Sequence, residues 1–492
     1  MTDLLVLPVA LPLLGAALTL LLRGRRGLQR WIALAILVAT LGVAVALLVD
    51  VDRNGVIATQ AGGWTAPIGI TLVADMFSAM MLVVSAAVLL LVHVFAIHEG
   101  EDDELSPYFD PVYLTLTAGV AWAYITGDLF NLFVAFEVTL ASSYVLITLG
   151  GRRAQVRAGM TYIVLNLVGS TMFLATVGLI YAATGTVNMA DLIGKFDTIP
   201  VGVRTALGVM LLVAFGVKAA IFPLFSWLPD SYPTARAPVT AVFAGLLTKV
   251  GIYAIVRTQT FYFAGDRTAS TLLVVVAGFT MVVGVLGAIS QNDMKRILSF
   301  HIVSQIGYMI MGLAFFTVAG VAGAIFYIVH HIPVKTGLFL VSGMVEHASG
   351  TASLRRLSGV GRVLPLTAAL FMVPALSLAG IPPFSGFVAK LALVEAGFGI
   401  EEWAVVATSL VVSLLTLFSM LKIWTGVFWG PVESPLDDDS PRRPPWTMVA
   451  ATTGMVGITL AIAFGGTAVY SWSDQAARTL LEPDEYVEEV LP

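Results

Sequence analysis

Fourteen apolar runs, each near the length of a bilayer-crossing helix, divide this chain almost from end to end. They lie near 3–22, 31–49, 71–97, 109–126, 129–149, 158–183, 202–228, 236–262, 269–290, 297–317, 320–345, 363–395, 403–430 and 446–472. A helix needs about 20 apolar residues to cross the hydrocarbon core. Backbone polar groups there must be satisfied within the segment, so the runs predict an all-α integral membrane protein of about 14 transmembrane helices. Composition agrees: 58% of the 492 residues are hydrophobic and 12% charged, against about 25% charged in soluble domains. The first run has no basic stretch before it and Arg23, Arg25 and Arg26 after it, so it reads as a retained span. The absence of cysteine excludes disulfides and thiolate chemistry, and a net charge of −5 suggests no nucleic-acid surface.

Positive charge gives the chain a sidedness. Loops after odd-numbered runs hold Arg23, Arg25, Arg26, Arg30, Arg152, Arg153, Arg157, Arg236, Lys295, Arg296, Arg355, Arg356, Arg362, Arg442 and Arg443. The other loops hold only Arg53, Lys195, Arg204, Arg257, Arg267 and Arg478. This bias places the odd loops in the cytoplasm and both termini outside it. The third-to-fourth loop, within 98–110, is acidic and lacks Lys and Arg, and the C-terminal LEPDEYVEEV is acidic and reads as loose or partner-bound.

The remaining cations are lysines inside runs: Lys218, Lys249, Lys335, Lys390 and Lys422. On this count no arginine is intramembrane. Arginine keeps its proton, whereas a desolvated lysine can release one, so the selection suits proton handling. A charge at the bilayer centre costs at least about 2.5–3.5 kcal/mol and marks a functional candidate. Lys422, near a run end beside Trp424, Phe428 and Trp429, reads equally as a residue that snorkels to the headgroups. Glu137 lies inside the fifth run, and Lys218 is its proposed partner; a neutral Glu bonded to backbone is the alternative. Asp75 is expected at the interface.

The eleventh run, AIFYIVHHIPVKTGLFLVSG, puts His331 and Lys335 four apart on one helix face, with His330 about 100° away. Pro333 removes a backbone donor among them. Histidine titrates near neutral pH, which suits a relay; adjacent histidines on a helix point apart, and no metal-ligand spacing is present. His301 either extends the relay or bonds to backbone.

Two runs contain a break. IFPLFSW at Ile221 and IPPFSGF at Ile381 each set proline among aromatics in mid-run, with Lys218 before Pro223 and Lys390 after Pro382 and Pro383. Such breaks persist in a membrane only where buried in protein or beside water. A pair of them points to an internal repeat with the ion path at the breaks. Glu137, Lys218, Lys249, His330, His331, Lys335 and Lys390 then form a candidate proton pathway, with no metal or cofactor.

FNLFVAFEV, KAAIFPLFSWLPDSYPTARAPVTAVFAGLLTKVGIY, NDMKRILSFHIVSQIGYM and GIPPFSGFVAK resemble the antiporter-like membrane subunits shared by respiratory complex I and Mrp-type multisubunit cation/proton antiporters. The likeness spans roughly 70–430, and GRRAQVRAGMTYIVLN makes the D-type Mrp subunits the nearest pattern. It implies two inverted five-helix repeats with broken helices 7 and 12, divided as 1–108, 109–262, 263–430 and 431–492. It implies that Glu137 and Lys218 pair, that Lys249 bridges the halves, and that Lys390 ends the path. It also implies a hetero-oligomer of Mrp subunits in the bacterial cell membrane exchanging Na⁺ for H⁺. A lysine-rich, carboxylate-poor interior suits protons here and Na⁺ elsewhere in the complex. A proton-pumping subunit of complex I or of a membrane-bound hydrogenase is the alternative; a solute transporter and an assembly scaffold are more distant ones.

Overall fold

A computed structural model describes residues 2–97, 107–431 and 443–491. Most of the acidic loop, residues 98–106, and Arg442 lie outside the described residues. Among the described residues, twelve helices are long and apolar enough to cross a membrane. Two expected spans are shorter than that: Phe109–Ile125 has 17 residues, and the twelfth is two 15-residue helices, Pro365–Ala379 and Ser385–Gly399. The expected divisions between 109–126 and 129–149 and between 297–317 and 320–345 are both helix ends. Ile125 closes one helix before Leu129 opens the next, and Ala314 closes one before Val318.

The helices sort by what they face. Val318–Ser349, the central helix, is buried along nearly its whole length and is apolar apart from a few buried polar side chains, His330, His331, Lys335 and Ser342 among them. Arg153–Thr184 instead turns Val164, Leu167, Val168, Leu174 and Leu179 outward, away from the protein interior, and Asn166, Ser170 and Thr176 inward. Pro333 does not interrupt the central helix. The chain also forms a short antiparallel hairpin, Ile57–Gln60 with Thr71–Ala74, and a small amphipathic helix, Met189–Phe196.

The loops collect at two ends. At one, Arg296 pairs with Asp230, Leu354 N–H donates to the Asn292 carbonyl, and Arg152, Arg236, Lys295 and Glu346 surround one cavity. At the other, Gly127 N–H donates to the Thr71 carbonyl and Asp128 bridges Asn188. The first is the end where the basic loops gather.

One construction occurs twice, once at each end. Asp128 caps Leu129–Thr148 by accepting from Asn131 N–H at 2.7 Å, and Asp293 caps Met294–Ala314 by accepting from Arg296 N–H at 3.0 Å. A 32-residue helix follows each, Arg153–Thr184 and Val318–Ser349, ending at left-handed Gly185 and Gly350. The chain then returns to bridge Asp128 with Asn188 and Asp293 with Ser353.

Several expectations change. Arg257 is not in a loop: it sits within the buried helix Thr248–Phe263, where Asp75 takes its guanidinium through both carboxylate oxygens, one at 3.0 Å. A buried fixed charge is tolerable because its counter-charge is buried beside it. Asp75 is therefore enclosed in protein, at the cap of Met76–Ala96. The C-terminal segment is not loose. Asp484–Val490 is helical, buries Tyr486 and Val490, and has Glu485 accepting from Val56 N–H at 3.0 Å. Lys295, counted as a loop cation, is buried and paired with Glu346.

Candidate functional site

Each break is built the same way. Val201–Ala219 ends at Ala220, which takes the left-handed conformation at φ 59°, and Ile221 N–H donates back to the Gly216 carbonyl at 3.1 Å. Pro365–Ala379 ends at left-handed Gly380, φ 86°, and Ile381 N–H donates to the Leu376 carbonyl at 3.0 Å. Pro223, Pro382 and Pro383 lie in the non-helical turns that follow, where no ladder N–H is needed. Both turns contain a cis X–Pro bond, Phe222–Pro223 and Pro382–Pro383. The half-helices Pro365–Ala379 and Ser385–Gly399 thus leave carbonyls free in the interior.

Lys218 lies two residues before the first break and is 8% exposed. Its ammonium donates to Ser170 Oγ at 2.7 Å and to the Asn166 carbonyl at 3.3 Å, with the Phe136 ring 5.6 Å away. Glu137 is not its hydrogen-bond partner. The carboxylate acts on it across a longer gap, and Glu137 Oε1 is buried without a protein partner. A cavity of about 20 Å³ lies against Lys218, Asn166, Tyr162 and Thr139, room for roughly one water.

Lys249 is fully buried and follows a π-helical turn, Phe243–Leu247. That turn presents the Ala244 carbonyl to the ammonium at 2.6 Å, and Thr248 Oγ1 accepts at 3.2 Å. π-turns of this kind recur at functional sites because they release carbonyls from the ladder. Gly251 lets the first broken helix approach: a Cβ there would lie 2.7 Å from Ala219 N.

On the central helix, Lys335 Nζ and both ring nitrogens of His331 are buried with no hydrogen-bond partner among the described residues. His331 feels the charges of Lys249, Lys335, His330 and His301. His301 donates to or accepts from Ser419 Oγ at 2.8 Å, so it bonds to a side chain rather than to backbone. His330 Nδ1 meets Ser385 Oγ at 2.9 Å, and Ser385 meets Ser377 Oγ at 3.1 Å. Lys390 donates to the Leu378 and Ala379 carbonyls, freed by the second break, at 3.0 and 3.1 Å, and sits 4.9 Å above the Tyr308 ring. Five of the candidate pathway residues come together: Lys249, Lys335, His331, His330 and Lys390 lie, with His301, within one another's electrostatic reach. Lys218 and Glu137 form a separate group.

Lys422 belongs to neither group. It donates to the Ile289 and Gln291 carbonyls at 2.8 and 2.6 Å and so caps the end of Arg267–Ser290. The sequence reading missed the neutral groups between the charges: Ser170, Asn166, Ser377, Ser385, Ser419 and the stacked pair Tyr308–Tyr327, whose centroids are 5.3 Å apart. Tyr327 donates to Gln305 Oε1. Periodicity gave a usable signal, since Asn166 and Ser170 are four apart in an apolar run, as are His331 and Lys335.

A family model described as the NADH:quinone oxidoreductase/Mrp antiporter transmembrane region matches residues 126–416. The chain belongs to that family. Among curated members, the D subunit of the Na(+)/H(+) antiporter of Alkalihalophilus pseudofirmus is 43% identical over the full length of both chains. A chain in the Mrp complex of Dietzia sp. DQ12-45-1b is similar in structure, with TM-score 0.95, 38% identity and full coverage of both chains. A chain of the membrane-bound sulfane sulfur reductase, an archaeal respiratory membrane complex, follows at TM-score 0.91 and 29% identity, again over both full lengths. As a member of this family the chain is a multi-pass membrane protein, and the matched region contains both breaks and all seven candidate residues.

Proposed function

We propose that this chain is the D-type member of a multisubunit Mrp-type Na⁺/H⁺ antiporter and that it conducts protons along the buried basic groups. It is a transporter subunit rather than an enzyme. It assembles with other Mrp subunits in a bacterial cell membrane, with the basic end in the cytoplasm and both termini on the other side. The supporting observation is the row Lys249, Lys335, His331, His301, His330 and Lys390, buried yet rich in donors and acceptors that protein atoms leave unpaired. Unpaired buried polar atoms call for water, and water beside titratable groups carries protons. Because neighbouring lysines repel, a proton arriving on one weakens its neighbour's hold, which passes the charge along.

At Lys218, Ser170 and Asn166 hold the ammonium while Glu137 supplies a more distant counter-charge. A proton reaching Lys218 from the cavity beside Asn166 is passed toward Lys249 across the close packing at Gly251. No group of carboxylates suits Na⁺ along this row, so Na⁺ crosses in another subunit. The membrane potential supplies the drive, about 2.3 kcal/mol per charge per 100 mV.

The test uses the whole complex in Na⁺-loaded vesicles, with the pH gradient as readout. Lys218→Ala is expected to abolish Na⁺-driven proton movement while the complex still assembles. Normal exchange by that variant would refute the reading.

A further inference from the structure

At the basic end, a polar cavity of about 310 Å³ is lined by Arg152, Gln155, Arg236, Lys295, Glu346 and His347. Lys295 and Glu346 form an ion pair across it, with the lysine 5% exposed and the carboxylate 42%. Asp293 is a further carboxylate within electrostatic reach of this pair. The cavity thus sets one accessible carboxylate against a buried ammonium, with further cations around them.

Glu346 lies on the central helix, and so does the unpaired part of the candidate path. At 100° per residue, His331, Lys335, Ser342 and Glu346 fall within an arc of about 60° on one face. Ser342 Oγ is buried without a protein partner, as are Lys335 Nζ and the ring nitrogens of His331. From Lys335 to Glu346 the helix rises about 16 Å. Leu338 and Phe339, both buried, fill the turn between Lys335 and Ser342. One face of one helix therefore carries polar groups from the polar cavity to the heart of the row, with a single apolar step.

We infer that this cavity is the port through which protons pass between the solvent at the basic end and Lys335, with Glu346 as the accepting group and its pairing to Lys295 as the closure. This deepens the proton-conducting reading above and rests on it. The surroundings favour protons over Na⁺. A metal cation needs several oxygen ligands and is repelled by Lys295, Arg152 and Arg236. A proton needs one lone pair, which Glu346 supplies when it releases Lys295.

The chain contains no cysteine, so an introduced thiol is the only one in this subunit. In the whole complex, Ser342→Cys is treated with a small methanethiosulfonate from the basic side, with Arg152→Cys as the accessible control. Reaction at Ser342→Cys from that side, with loss of exchange, is the expected result. An unreactive Ser342→Cys beside a fully labelled Arg152→Cys overturns the port. Glu346→Gln, which keeps a hydrogen bond to Lys295, is expected to slow exchange several-fold. If Lys218→Ala abolishes exchange while Glu346→Gln runs at the full rate, the port is wrong and the proton row stands. If Lys218→Ala exchanges normally, the functional reading and the port fall together.

Discussion

The two broken helices share a backbone and differ in how they hold a lysine. In the first half, Lys218 precedes the break and is held from outside, by Ser170 Oγ and the Asn166 carbonyl on Arg153–Thr184, with Glu137 farther off. In the second, Lys390 follows the break and is held from within, by the Leu378 and Ala379 carbonyls that the break itself released. The neighbouring 32-residue helices differ in step. Their fourteenth and eighteenth positions are Asn166 and Ser170 in one and His331 and Lys335 in the other. Where the first half offers its lysine the Asn166 backbone carbonyl and the Ser170 hydroxyl, the second places titratable groups that have no protein partner among the described residues. The same scaffold therefore cradles a lysine in one half and, in the proton-conducting reading proposed above, carries part of a relay in the other.

The largest expected effect tests that contrast directly. Lys335→Ser, which gives the second half the residue of the first, is expected to stop exchange almost completely in Na⁺-loaded vesicles. Ser170→Ala, which only loosens the cradle, is expected to reduce the rate by about tenfold or less, the scale of one hydrogen bond to a charged group at about 1.5–3 kcal/mol discounted for water taking its place. Equal losses for the two variants would erase the distinction between the halves.

A second test concerns the paired caps outside the spans. Burial pushes the Asp128 carboxyl up to about 6, against the opposing pull of the Asn131 N–H. A folded-state value above the unfolded one of about 4 means that folded protein binds the proton more tightly. Stability is then highest below about pH 4, falls as pH rises to about 6, and is level above that. Asp128→Asn keeps an acceptor and loses the charge. It is expected to raise the thermal midpoint at pH 8, by up to about 3 kcal/mol in stability, and to leave it unchanged at pH 4. Asp293 is also raised by burial, but Lys295 opposes this, so Asp293→Asn is expected to gain less. A larger gain at Asp293 would show that the two ends are not built alike.

The smallest effect separates the turns. Gly380 has φ 86°, and a Cβ there would lie 2.8 Å from Lys390 Cδ. Gly380→Ala is expected to cost about 1 kcal/mol of stability and to slow exchange by displacing the lysine. Ala220 already adopts φ 59° with a side chain in place, so Ala220→Gly is expected to change stability by less than about 1 kcal/mol. Thermal melts of both complexes check this.

Much of this protein is written in local sequence. The helices, the prolines at both breaks and the odd lysines among apolar residues follow from one rule, that a bilayer accepts neither free backbone nor unpaired charge. Gly127-Asp128 was enough to divide one pair of helices, because a cap needs only neighbouring residues; Ala319-Gly320, where the second division was expected, lies inside Val318–Ser349, and the cap there is Thr317, which accepts from Gly320 N–H at 3.1 Å. What local sequence left open were relations between distant segments. Arg257 looked like a loop cation because nothing within its own helix reveals Asp75, which lies 182 residues earlier in the chain and is brought to it only by the fold. The acidic C-terminus looked loose because the partners of Tyr486 and Glu485 lie at Phe261 and Val56. Lys422 became a cap and Lys218 a cradled ammonium by the same route. Charge placement along the chain was fixed by the cost of the membrane, but which charges meet was decided only by packing, since Coulomb interaction depends on distance in space and not on distance along the chain.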